Sequence, residues 1–309
     1  MANLLVVVRA IHFASSITVA GAAFFPAAVA GEQLRAHREA LAPIQRQLDW
    51  IVLTGLGLAV ASGGLWLLLL ASQLAQVTED ADSTVWLVLT GTQFGCVLLV
   101  RFVIAGLLAL LLALRHLKPL ASTLNWLIAL LGIAFVVSLA WCGHSGAGLG
   151  LSGDFQVGAD AVHLVTAAIW VGGLLPLLIF IRPSMPMSGS ERYQLVRRFS
   201  LVATWAVALL IASGIVNTWY MTDGLRHLFG TEYGSLVLAK MGLLLIMLGF
   251  ASVNRFWLTP RLPVSDKVPR LLCTSTGAEI ALGLIVIYLV AVLGQLEPAG
   301  HMHMSAMGH

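Results

Sequence analysis

The chain has 309 residues, of which 59% are hydrophobic and only 10% charged, with a formal net charge of +3. A soluble domain carries about 25% charged residues. With a mean hydropathy of +0.93, the deficit excludes an ordinary soluble protein and points to a membrane. The slight basicity leaves no nucleic-acid footprint, because the basic residues fall in connections between apolar runs and not on one soluble face. Three cysteines, Cys96, Cys142 and Cys273, are too far apart for a CxxC pair and suggest no disulfide framework.

A membrane helix needs about 20 apolar residues. Eight segments qualify, at residues 4–30, 48–75, 85–114, 120–142, 157–181, 195–220, 235–256 and 271–295. The first is too long and lacks the cleavage site of a removable signal, so it reads as a retained helix. The expected fold is therefore an all-α membrane protein of eight transmembrane helices in one domain. Residues 1–143 supply four helices, 144–156 a Gly-rich loop, 157–296 four more helices, and 297–309 a His/Met-rich tail. The chain could be two four-helix halves joined at that loop.

Positive charge gathers in cytoplasmic loops. Thirteen of the 17 lysines and arginines fall in the first, third, fifth and seventh connections. The second, fourth and sixth carry Glu79, Asp80, Asp82, Asp154, Asp223 and Glu232. Both termini are therefore expected on the outer, periplasmic side. Three cations remain inside apolar runs. Arg9 and Lys240 lie near outer helix ends, where they could snorkel. Arg101 lies deep, as does Glu279, and these two are expected to pair, since an unpaired charge in hydrocarbon is costly.

This orientation gathers polar residues at the outer side. Arg9 and His12 share one face of the first helix, and Asp160 and His163 share one face of the fifth. Cys142 and His144 end the fourth. The tail adds His301, Met302, His303, Met304, Met307 and His309. Imidazole, thioether and thiolate are ligands for copper, above all Cu(I). The expected metal ligands are His12, His144, His163 and the tail residues. Arg9, Cys142, Asp160, Lys240, Arg101 and Glu279 would support them or line a path, with Asp160 orienting His163. On the inner side Met185 and Met187 flank a proline and could form an exit. A different chemistry uses His12 and His163 as the axial pair of a haem b, with Arg9 or Lys240 on its propionates; such an electron carrier could reduce Cu(II). No GxSxG, HExxH or Walker loop is present, so hydrolysis and nucleotide-driven transport find no support in this chain.

Several runs have a family character. His144-Ser-Gly is followed by Asp160-Ala-Val-His163 and Ala-Ile-Trp170-Val-Gly172-Gly173. Arg198-Phe199-Ser200 leads to Ser213-Gly214 and Asn217, and Tyr233-Gly234 with Lys240 leads to Asn254-Arg255. The start, Arg9-Ala-Ile-His12-Phe, fits as well. In order and spacing these resemble the CopD copper-resistance family of bacterial inner-membrane proteins. The resemblance implies an eight-helix protein that handles copper with a periplasmic copper-binding partner of the CopC type and moves it into the cytoplasm. No CopC-like β-domain is read in the sequence, so that partner is expected to be a separate chain. The His/Met tail is not part of the resemblance.

Overall fold

A computed structural model of the chain describes residues 2–78, 81–117, 122–142, 151–222, 229 and 231–296. Helix is the only regular structure among them. That follows from the solvent: with no water in the bilayer core, backbone groups must be satisfied within each segment.

The elements run α1 (Ala2–Ala28), α2 (Gly31–Ala36), α3 (Ala42–Thr78), α4 (Ala81–Gly91), α5 (Gln93–Leu117) and α6 (Ser122–Val137), which tightens to a 3₁₀ turn at Ser138–Trp141. Then come α7 (Leu151–Ala167), a π-helical turn (Ala168–Gly172), α8 (Gly173–Phe180), α9 (Gly189–Thr222), α10 (Glu232–Val253) with a second π turn (Asn254–Leu258), and α11 (Val268–Leu293). Eight of these runs are long and apolar enough to cross a membrane: Asn3–Ala28, Ala42–Leu74, Gln93–Arg115, Thr123–Trp141, Gly153–Phe180, Gly189–Tyr220, Glu232–Arg261 and Val268–Leu293.

Two boundaries differ from the sequence reading. The segment expected at 85–114 is two helices, because Thr92 interrupts it. Its hydroxyl donates to Val88 O (2.6 Å) and accepts from Gly95 N (3.1 Å), capping α5 afresh. The expected loop at 144–156 is helical from Leu151, where Asp154 in the first turn favours a helix start.

Eight crossings put Ala2 and Leu296 on one face, called here the terminal face. The opposite face carries most of the arginines. Trp86 and Trp219 near the first, and Trp50 and Trp257 near the second, are exposed, as interfacial anchors are.

Helix α1 is the hub. It packs against α3, α6, the π turn, α8 and α11. Over half of its apolar window (56%) is buried, against 11% for the α10 span. Its contact with the fifth span is backbone on backbone. Pro176 has no N–H to give Gly172 O and its ring crowds that carbonyl, so the ladder loosens into a π turn there. The turn pushes Gly172 against Gly21. A Cβ on Gly21 would fall 2.6 Å from both Gly172 Cα and Ala168 O, so neither helix can carry a side chain at this crossing.

Candidate metal site in the terminal half

On α1, His12 is 2% exposed. It beds on α3, where a Cβ at Gly63 would come 3.1 Å from its Cε1. Its Nδ1 lies 3.0 Å from Ala59 O and 3.1 Å from Ser62 Oγ. A carbonyl can only accept. The Ser62 hydroxyl already donates to Leu58 O at 2.6 Å, so it too accepts at Nδ1. Nδ1 therefore carries the hydrogen, and Nε2 carries the lone pair. Trp66 packs edge-on against the ring, with centroids 5.7 Å apart.

On α7, His163 repeats this device. A Cβ at Gly214 of α9 would come 3.3 Å from its Cε1. Its Nδ1 lies 3.2 Å from Ser213 Oγ, whose hydroxyl donates to Leu209 O at 2.7 Å. Again Nδ1 must donate and Nε2 is left bare. Each serine follows its histidine by 50 positions. The third and seventh spans repeat as well: Thr92 and Thr231 each cap a helix by accepting from the glycine three residues on, Gly95 and Gly234. Counting on from those caps brings Arg101 and Lys240 to matching places. Their charges reach His12 and His163 respectively.

Such a ring arrangement is the one metal-binding histidines use. The nitrogen away from the metal donates to a fixed oxygen, which sets the tautomer and aims the other nitrogen. The sequence had assigned the orienting role at His163 to Asp160. The structure gives it to Ser213, while Asp160 Oδ1 accepts from Asn217 Nδ2 at 2.5 Å and senses the charge of Lys240. Ser62, Gly63 and Asn217 were missed as site residues. The signal was the pair of Ala-Ser-Gly runs at 61–63 and 212–214, each at the same distance from its histidine.

The other polar residues divide by half. Arg9 does not snorkel. Its Nη1 donates to Gly294 O at 2.6 Å, closing the C-terminus of α11, and its guanidinium lies 5.0 Å from the Trp66 ring centroid. Arg101 and Glu279 do not pair. Arg101, 1% exposed, donates to Ser16 Oγ (2.7 Å), Phe135 O (2.5 Å) and Ser138 Oγ (2.9 Å) and lies 4.1 Å over the Phe135 ring. It thus ties α1, α5 and the fourth span together. Glu279 accepts from Asn254 Nδ2 at 2.6 Å on the far side. Hydroxyls, a carbonyl and an aromatic face suffice to hold a guanidinium, so equal depth did not dictate an ion pair. Cys142 lies within reach of the charges of Arg9 and Arg101.

On the arginine face, Met187 is buried in the core, Met185 O accepts from Arg192 Nη2 at 2.8 Å, and His37 pairs with Glu191. Loop packing accounts for all three. His144 and the tail residues His301, Met302, His303, Met304, Met307 and His309 lie outside the described residues. Among the described residues no group of three His, Cys, Asp or Glu side chains converges on a metal-sized site.

An all-helical bundle of eight spans, with charged residues held inside it, is a multi-pass inner-membrane protein. The chain belongs to the copper resistance protein D family. Residues 193–293 match the family described as "Copper resistance protein D", and residues 1–154 match "Copper resistance protein D-like, N-terminal domain". It is 29% identical over 300 residues to inner membrane protein YebZ of Escherichia coli, covering 95% of this chain and 98% of that one. It is 28% identical over 272 residues to copper resistance protein D of Pseudomonas syringae pv. tomato, covering 84% and 86%. To copper transport protein CutJ of Bacillus subtilis it is 32% identical over 145 residues, 45% of this chain and 26% of that one. No solved structure matches.

Proposed function

We propose that this protein carries copper inward across the inner membrane, with the terminal face in the periplasm and His12 and His163 as ligands at its entrance. The observation that carries the reading is the twofold occurrence of an imidazole held by Nδ1 with Nε2 bare. Orientation rests on the arginine-rich connections, which belong on the cytoplasmic side. Copper arrives from a periplasmic copper-binding protein of the CopC type. His144 and the soft donors of the tail take it first, and His12 and His163 draw it below the membrane surface. Copper is cargo here, so each station binds through few ligands and can release it.

The test is equilibrium copper binding to purified protein with a competing chelator. His163→Ala and His12→Ala should each lower the stoichiometry or weaken affinity at least tenfold. Unchanged binding in both removes the proposed ligands. A titration with a purified CopC-type protein loaded with copper tests the donor: transfer to wild type and not to the double variant is expected.

A haem b would draw on the same two histidines as its axial pair, through the same bare Nε2 atoms. His12 is floored by Gly63 of α3 and His163 by Gly214 of α9, so the two rings are seated against different helices. Trp66 also lies against the His12 ring.

A further inference from the structure

The two halves close their arginine-facing ends differently. In the first half, Arg115 of α5 forms an ion pair with Asp49 of α3 and donates to Asn125 Oδ1 at 3.0 Å. The step that carries His12 onto His163 and Ser62 onto Ser213 carries Asp49 onto Ser200 and Asn125 onto Thr276. The step that carries Arg101 onto Lys240 carries Arg115 onto Asn254. The second half thus has neither the arginine nor the aspartate. It has its own acid one turn past Thr276, at Glu279.

At this place there is a cleft of about 350 Å³, where Ser200, Asn254, Thr276 and Glu279 line walls that are mostly apolar. Glu279 is 2% exposed, Thr276 0% and Asn254 9%. Asn254 Nδ2 donates to Glu279, but Asn254 Oδ1 and Thr276 Oγ1 have no protein partner. Among the described residues the only other charged side chain lining the cleft is Arg255, whose Nη1 donates to Ser200 O at 3.1 Å and to Thr204 Oγ1. From the packed neighbours, α8 and its π turn bring no charge. Lys240 of α10 and Arg9 of α1 lie toward the terminal face.

We infer that this cleft is a binding site for a hard monovalent cation, H⁺ or Na⁺, held at Glu279. A carboxylate buried in a membrane with a single donor, as Glu279 has in Asn254, is costly until a proton or a cation neutralises it. The first half supplies that cation from its own chain, and the second leaves an opening where the guanidinium would be. The donors are all oxygens: a carboxylate, an amide carbonyl and hydroxyls. Oxygen donors suit hard cations, whereas soft Cu(I) selects sulfur and imidazole. The site is therefore not a second copper station but the place where another ion enters the cycle. Binding there does not rest on the copper reading; only its coupling to transport does.

The test uses the full chain in lipid nanodiscs, stripped of copper, with dicyclohexylcarbodiimide, an apolar reagent that adds to protonated carboxyl groups, read by peptide mass. Glu279 should be modified and Asp49, paired with Arg115, should not. Modification should fall about tenfold per pH unit once the carboxyl ionises. If Na⁺ is the ligand, sodium chloride protects Glu279 at fixed pH and potassium chloride does not. If a proton is the ligand, pH alone protects. Glu279→Gln should lose the modified peptide. A Glu279 that is never modified, or is modified equally at every pH and in every salt, overturns the inference and leaves the histidine site untouched.

Discussion

Ser213 stands 50 residues after His163 in the chain and 3.2 Å from its Nδ1 in space. Because the serine hydroxyl donates to its own helix at Leu209 O, it can only accept from the ring. It thereby decides which imidazole nitrogen faces outward. Removing that acceptor should matter as much to copper as removing a partner of any bound metal ligand. Ser213→Ala is expected to weaken copper binding roughly 10- to 100-fold with little change in thermal stability. Ser213→Thr, which keeps the hydroxyl, should restore most of it. Equal affinity in the alanine variant would show that the hydroxyl does not set the tautomer.

Arg101 is held as a fork, with one nitrogen on Ser16 and the other on Phe135 O and Ser138. An ammonium group cannot span these acceptors. Arg101→Lys should destabilise the fold by about 1.5–3 kcal/mol, the worth of a charged hydrogen bond lost in the interior. Unfolding by a denaturing detergent is the measurement, and a wild-type midpoint would contradict the role.

Asp49 and Arg115 form a pair whose side chains are 2% and 11% exposed. Arg115→Ala leaves the aspartate stranded and should cost roughly 3–5 kcal/mol. Asp49→Asn in the same chain should recover most of that loss. If the double variant is no more stable than the single one, the two residues are not energetically coupled.

The contact of Gly21 with Gly172 leaves no room for a methyl group. Gly21→Val should destabilise by at least about 1–3 kcal/mol, as overpacking does, and should lower the yield of folded protein in membranes. Gly57, where nothing lies within 4 Å of a would-be Cβ, should accept alanine without loss.

The eight spans were legible because length and hydropathy alone define a membrane helix. Their finer breaks were not. Thr92 looks like one more residue in an apolar run until its hydroxyl is seen to cap α5. The error over Arg101 and Glu279 has a physical root. Matching charges by depth assumes that they must find each other, yet Arg101 is held by Ser16, Ser138 and Phe135 O, and Glu279 takes its protein hydrogen bond from Asn254. The histidines stood out in the sequence because imidazole is rare in an apolar run. Their serine partners did not, since Ser62-Gly63 and Ser213-Gly214 read equally well as small residues for close packing. What sets these two serines apart from the other small residues is the same spacing of 50 positions from a histidine in both halves.

An absorption spectrum of purified protein is expected to show no Soret band, before or after reduction. A band that shifts on reduction and disappears in His12→Ala would reinstate the axial pair.

If Nε2 of His12 and of His163 bind copper, the metal's own absorption edge carries their signature. X-ray absorption at the copper edge of the loaded protein, cut after Leu296 to remove the tail, addresses it most directly. Imidazole scattering around copper is expected, weaker when either histidine is replaced by alanine and fainter still in the double variant. A spectrum identical in wild type and double variant would contradict it.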